Sequence, residues 1–180
     1  MHSLRWFLVV SALALPAAAQ QVPTRAAVVA SLSGFESQPD EATVRAWGDG
    51  VVPVLASILH DHDEMVGARA RAAYALRVFT ANPAALALLR SLAADPASNL
   101  FVRLAAMNAL VDGGAPLAAV SSQLASPDPD IRAGAAASLG RASDLAAARA
   151  ALTARARVER DASVRVRIEA SLRRISPAAR

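Results

Sequence analysis

The chain has 180 residues, of which 54% are hydrophobic and only 4% aromatic, and it contains no cysteine. The apolar content excludes an intrinsically disordered chain, and the lack of cysteine excludes a disulfide framework. Alanine supplies much of the apolar content and has the highest helix propensity of all residues. The composition therefore predicts an all-α fold of a single domain.

The formal net charge is +4, and all 19 basic residues are arginines. The charge is uneven, because residues 141–180 hold ten arginines against four acidic residues. A basic segment of this kind can meet nucleic acid, an anionic surface or an acidic protein. With neither lysine nor cysteine in the chain, a Schiff-base lysine and a cysteine nucleophile are excluded.

Residues 1–19 have the layout of a secretory signal peptide. Arg5 precedes an apolar run over 6–15, which Pro16 ends, and three alanines follow. This arrangement predicts cleavage after Ala19. The run is about half of the roughly twenty residues that a membrane span needs, so we expect no membrane span. The mature protein is expected to be exported, and to be periplasmic or secreted in a bacterium.

Residues 20–49 are predicted to form N-terminal capping helices. One helix is expected over 24–35, ended by Gly34, and a shorter one over 40–47, stopped by Gly48. End units of a repeat array have one face without a neighbour and are often atypical.

Residues 50–176 contain a repeat of about four units. Its mark is an arginine seven residues before a leucine, with an apolar residue before the arginine. The four arginine and leucine pairs are Arg69 and Leu76, Arg103 and Leu110, Arg132 and Leu139, and Arg165 and Leu172. Successive leucines are about thirty residues apart, a spacing typical of stacked helical repeats. We call the helices that contain these pairs the Arg–Leu helices.

Eleven residues before the leucine, three of the copies have a good helix N-cap residue: Asn99, Asp128 and Asp161. The first copy has Met65 there, and we expect Asp63 or Glu64 to start its helix slightly earlier. Second helices are predicted between the Arg–Leu helices, over 51–59, 82–93, 115–125 and 144–156. Residues 177–180 are expected to be a tail.

The repeat resembles the short, bacterial HEAT-like repeat of the PBS-lyase type. The clearest matches are DPDIRAGAAASL over 128–139 and VRLAAMNAL over 102–110. The resemblance implies an α-solenoid of right-handed, stacked antiparallel helix pairs, with the second helices lining a concave surface. It also implies that the aspartate and arginine of the repeat pair across neighbouring units. Arg69, Arg103, Arg132 and Arg165 are then expected to be structural, like the three N-cap residues.

The segment HDHDE over 60–64 is the one dense cluster of potential metal ligands. Its residues are consecutive and fall at a turn, and no second cluster completes a ligand shell, so we predict no metal site. A serine nucleophile would depend on His60 or His62, the histidines outside the signal peptide. We therefore predict no catalytic residues, no cofactor and no enzymatic activity.

The sequence predicts an exported, non-enzymatic scaffold or adaptor that binds another protein or an envelope component. Export argues against nucleic acid as the partner. One alternative is electrostatic binding of an anionic membrane or envelope polymer through the basic C-terminal end, and another is a repeat-fold enzyme or lyase. The candidate binding residues lie on second helices and at the basic end: Arg90, Gln123, Arg149, Arg155, Arg157, Arg160, Arg167, Arg173 and Arg174.

Overall fold

The structure is a computed structural model that describes residues 22–34 and 39–176. Within those ranges the regular structure is entirely helical, with ten α-helices and three 3-10 helices, as the composition predicts. No helix in the described ranges is long and apolar enough to cross a membrane. The predicted signal peptide over 1–19 and the tail over 177–180 lie outside the described residues.

The helices follow the predicted alternation. In chain order they are α1 Arg25–Ser33, α2 Glu41–Ala46, α3 Val52–His60, α4 Val66–Ala75, α5 Pro83–Ala94, α6 Leu100–Asp112, α7 Ala118–Ser122, α8 Pro129–Leu139, α9 Leu145–Ala156 and α10 Ala162–Ile175. The 3-10 helices precede α3 and extend α4 and α7, over Asp49–Val51, Leu76–Phe79 and Gln123–Ala125. The Arg–Leu helices are thus α4, α6, α8 and α10, and the second helices are α3, α5, α7 and α9.

Side chains cap three of the four Arg–Leu helices. The backbone N–H of Phe101 donates to Asn99 Oδ1 at 2.9 Å, and equivalent bonds reach Asp128 and Asp161 at 2.8 and 2.9 Å. Each bond satisfies one of the N–H groups that have no partner in the first turn of a helix.

The expected early start of the first Arg–Leu helix is wrong. Met65 occupies the N-cap position of α4 without a capping side chain, and the helix begins at Val66. Asp61 Oδ1 accepts the backbone N–H of Asp63 at 3.0 Å, and Glu64 Oε1 accepts that of Met65 at 3.3 Å. These bonds fold the acidic segment into a turn. The N-cap position of the first copy therefore lies eleven residues before its leucine, as in the other three copies.

Each helix packs mainly against its neighbours in the repeat. α4 packs on α6, α6 on α8 and α8 on α10, and every Arg–Leu helix also packs on the second helix before it. The Arg–Leu helices contact one another more extensively than the second helices do. α1 covers the start of this arrangement by packing on α3 and α4.

The core between the Arg–Leu helices is built from the repeated positions. Three residues after the arginine, Ala72, Ala106 and Ala135 are completely buried, and Ile168 fills the same position in the last copy. The leucines of the first three copies are also buried, whereas Leu172 is half-buried. Small residues at these positions allow neighbouring helices to approach closely.

Candidate binding groove at the C-terminal end

Two of the repeat arginines hold the end of the preceding second helix. Arg69 Nε donates to the carbonyl oxygen of Leu59 at 3.2 Å, and Arg103 Nε donates to that of Ala93 at 3.4 Å. Both side chains are buried. Carbonyl groups in the last turn of a helix have no partner within it, so the arginines satisfy them.

Arg132 forms a larger network. Its Nη1 donates to the carbonyl oxygens of Ser126 and Pro127, both at 3.0 Å. Its Nε and Nη2 donate to the two carboxylate oxygens of Glu159, at 2.9 and 3.1 Å. The side chain of Glu159 is only 1% exposed, and it also pairs with Arg155 at 2.6 Å. The acid that pairs with this arginine across units is therefore a glutamate in the turn before α10, whereas the resemblance implied an aspartate.

The network fixes the charge of Glu159. The hydrogen bond from Arg132 is the main reason that the pKa of Glu159 falls from 4.5 to about 2, and Arg155 and the backbone N–H of Asp161 add to it. The same pairing raises the pKa of Arg132. Glu159 is an acceptor that remains ionised, so it offers no proton for general acid catalysis near neutral pH.

The fourth copy of the repeat departs from this pattern. Arg165 is exposed and forms no side-chain hydrogen bond with any residue in the described part of the chain. Its N-terminal neighbour Val164 remains buried, like the equivalent residues of the other copies. The apolar half of the motif therefore packs in all four copies, whereas the arginine makes structural contacts in three.

Two of the candidate binding residues instead make internal contacts. Gln123 Oε1 accepts from Arg103 Nη2 at 3.3 Å and is half-buried, and Arg155 is paired with Glu159. Arg90 and Arg160 are exposed but lie apart from the groove described below. None of these four residues lines the groove.

Arg149, Arg157 and Arg174 do come together, around a groove of about 900 Å³ between α9 and the end of α10. Arg174 also borders a second cleft with Arg167 and Arg141. Arg173 is exposed and lines neither. The groove is lined by Leu145, Ala146, Arg149, Ala150, Thr153, Ala154, Arg157, Arg174, Ile175 and Ser176.

The groove exists because α9 has two apolar faces. Ala148 and Leu152 are completely buried against the rest of the protein. Ala146, Ala150 and Ala154 recur at intervals of four on another face and are exposed. Residues four apart on a helix share a face, so this second stripe forms a continuous apolar floor.

Sequence analysis missed this second stripe and the role of Glu159. The four-residue spacing of the alanines in 144–156 was the available signal, but alanine is frequent on every face of these helices. Nothing local to Glu159 distinguishes it from other acids, since its partner Arg132 is 27 residues away.

Positive charge surrounds the groove. None of the lining residues is acidic. Arg157 and Arg174 form no ion pair with any residue in ranges 22–34 and 39–176. Arg149 is positioned by a hydrogen bond from its Nη2 to the carbonyl oxygen of Ile175 at 2.8 Å. The guanidinium groups retain donors for a ligand, since each has five N–H bonds.

The acidic segment 60–64 forms a structural contact. Arg25 Nη2 on α1 donates to Asp61 Oδ2 at 2.6 Å and to Glu64 Oε2 at 3.3 Å. His60 Nδ1 lies 2.8 Å from the carbonyl oxygen of Ala56. Among the described residues, no group of three or more potential ligands is placed to hold a metal ion.

The site can therefore bind a ligand through an apolar floor and cationic rim. It presents methyl groups and two larger aliphatic side chains, of which Leu145 is 50% exposed and Ile175 is buried. Its charged groups are guanidiniums, which donate hydrogen bonds to carboxylates or phosphates. No family model, curated protein or solved structure matches the chain.

Proposed function

We propose that the protein is an exported, non-enzymatic scaffold of HEAT-like repeats that binds another protein through the groove on α9. The apolar floor with its arginine rim is the observation that carries this proposal. Contiguous exposed apolar surface bordered by polar groups is typical of interaction sites. The dimensions of the groove also fall in the range of ligand sites.

The packing of the helices supports the solenoid part of the proposal. Each helix pair contacts its sequence neighbours, as expected when stability comes from adjacent units. The resemblance further implies a concave surface lined by the second helices, and the groove lies on one of them, α9.

Site-specific photocrosslinking in the producing cells tests the proposal. A photoreactive residue is placed at Ala150 in the groove, at Arg167 on α10, and at Ala87 on the exposed side of α5 as a control. We expect a discrete protein adduct from position 150 and none from position 87. Absence of an adduct from position 150 would contradict binding through the groove, and absence of an adduct from every position would contradict any protein-binding function.

Export is tested separately, by sequencing the N-terminus of the protein recovered from the cell envelope or medium. We expect the mature chain to begin at Gln20. A chain that retains residues 1–19 and stays in the cytoplasm would contradict this part of the proposal.

The exposed arginines of the C-terminal end favour a second candidate function, which is binding to an anionic lipid or polymer surface. They are Arg157, Arg160, Arg165, Arg167, Arg173 and Arg174. Purely electrostatic binding weakens as salt screens the charges, with a Debye length of about 8 Å at physiological ionic strength. Binding to phosphatidylglycerol vesicles that disappears above roughly 0.3 M salt would favour this function, because salt at that concentration screens the attraction between exposed arginines and the anionic surface.

A further inference from the structure

We infer that the groove on α9 takes an amphipathic helix of a partner protein that carries acidic side chains beside its apolar stripe. This inference rests on the proposed protein-binding function and specifies its partner. Helices that insert an apolar face into a groove are a recurring mode of recognition.

The length of the groove suits a helix. α9 has 12 residues, and an α-helix rises about 1.5 Å per residue, so its exposed face is about 18 Å long. A partner helix of about three turns would lie along it. A groove of this length offers a linear ligand more contacts than it offers a small compact one.

The floor allows a close approach. Ala146, Ala150 and Ala154 form a ridge of residues four apart, the ridge used most often when helices pack in globular proteins. Because their side chains are single methyl groups, the larger apolar residues of the partner can occupy the space above them. Leu145 adds a larger apolar contact at one end.

The charges define the partner further. Arg149 on α9 and Arg157, the C-cap residue of that helix, are eight residues apart, which is about 12 Å along the helix axis. Arg174 faces them from the end of α10. Carboxylates seven or eight residues apart on a partner helix lie at a matching distance, and guanidinium groups bind carboxylates through two parallel hydrogen bonds.

The apolar face of α9 differs from the adjoining end of the Arg–Leu layer. Met107 on α6 is completely buried and faces α8, where its Cε would lie 3.5 Å from a Cβ at Gly134. The position equivalent to Met107 on α10 is Glu169, which is exposed and charged. The end of the Arg–Leu layer thus carries a charge beside Val166, which is 63% exposed, while α9 in the second-helix layer presents an uncharged alanine stripe. This contrast favours a separate ligand along α9 over a further repeat unit.

Three synthetic peptides test the inference by fluorescence anisotropy with the purified protein. The first is a 16-residue helix with leucines along one face and glutamates two turns apart beside them. The second has lysine in place of glutamate, and the third has the composition of the first in an order that scatters the leucines. We expect saturable binding of the first peptide and at least about tenfold weaker binding of the other two. The second peptide tests the contribution of the negative charges, and the third tests the contribution of the apolar stripe.

Two pairs of variants locate the binding. Ala150→Trp fills the groove and should abolish binding of the acidic peptide, whereas Ala87→Trp on α5 should leave it unchanged. Arg157→Glu should weaken binding about tenfold or more, whereas Arg160→Glu, an equal change of charge outside the groove, should have little effect. Circular dichroism and the urea midpoint of each variant verify that it is folded.

Several outcomes would overturn the inference. Equal binding of the acidic peptide to Ala150→Trp would place the site elsewhere. Binding of phosphatidylglycerol vesicles that Ala150→Trp abolishes, with no peptide binding, would assign the groove to lipid. A dimer in sedimentation velocity that Ala150→Trp dissociates would assign it to a second copy of this chain. Failure of all three peptides together with a protein crosslinked at position 150 would refute the acidic-helix partner and leave the proposed binding of a protein through the groove standing.

Discussion

Arg132 and Glu159 form a bidentate ion pair that joins α8 to the turn between α9 and α10. The distances are 2.9 Å from Nε to Oε2 and 3.1 Å from Nη2 to Oε1. The two side chains are 11% and 1% exposed. Arg155 reaches the same carboxylate from α9. One buried acid therefore connects three helices of the last two repeats.

Replacing Arg132 should destabilise the protein more than replacing the arginine at the same position in the fourth copy. Arg132→Gln removes one partner of a buried ion pair, for which the cost is about 3 kcal/mol. Arg165 is exposed, so Arg165→Gln should change the free energy of unfolding by less than about 0.5 kcal/mol. Urea unfolding of both variants measures the difference. Equal stabilities would show that the position has no structural role in the third copy.

The network also predicts an acid-sensitive component of stability. Glu159 has a pKa of about 2 in the folded protein against an ordinary value of 4.5. A group whose pKa is lowered by folding stabilises the protein above its ordinary pKa and loses this effect as the pH falls through its folded pKa. The contribution is about 3 kcal/mol, at about 1.4 kcal/mol per unit of pKa.

The measurement compares urea unfolding of the parent and Glu159→Gln from pH 7 to pH 2. The parent should be the more stable of the two at pH 7, and the difference should shrink between about pH 4.5 and pH 2 as the glutamate is protonated. Exposed Glu169→Gln is the control and should follow the parent throughout. A difference that is constant with pH would rule out the ionised carboxylate as its source.

One substitution should have opposite effects at two glycines. A Cβ at Gly113 would lie 2.5 Å from the carbonyl oxygen of Arg77 and 2.8 Å from that of Ala109, and backbone atoms cannot easily move away. Gly113→Ala should therefore cost about 1–3 kcal/mol. Gly67 lies in α4, and no atom outside its chain neighbours and the nearby backbone of that helix is within 4 Å of its Cβ position, so Gly67→Ala should stabilise by roughly 0.5–1 kcal/mol through helix propensity. Thermal or urea unfolding decides the signs.

The segment HDHDE should not bind zinc. Arg25 holds Asp61 and Glu64, and His60 Nδ1 contacts a backbone carbonyl, so the ligands would have to break these contacts. Isothermal titration with zinc at neutral pH should give no saturable heat. If a site exists, the heat should appear in the parent and disappear in His62→Ala.

The helical repeat could be predicted from the sequence because its marks are local. The N-caps Asn99, Asp128 and Asp161 act within their own first turn, so their identity and spacing are sufficient to locate α6, α8 and α10. Met65 illustrates the limit, since the start of α4 is set by hydrogen bonds in the preceding turn rather than by a cap.

The groove could be predicted only in part. The sequence predicts Arg149 as a candidate on a second helix and Arg157 as a candidate in the basic C-terminal end, because charged side chains at such positions face solvent. Their meeting with Arg174 depends on how α9 lies against α10, which no local pattern encodes. Arg155 and Gln123 do not line the groove, because each contacts a residue on another helix or in a turn, and no local pattern encodes those contacts either.

The contacts between the Arg–Leu helices are apolar, with buried alanines beside larger side chains such as Leu139 and Ile168. Apolar contacts have no preferred direction, so they constrain the alignment of two helices only through shape. The two parallel hydrogen bonds between Arg132 and Glu159 require one relative position of the two residues. A shift of one helical turn, about 5.4 Å, would break both of them. The ion pair thus adds a directional constraint to an interface held by apolar packing, and it fixes the turn before α10 relative to α8.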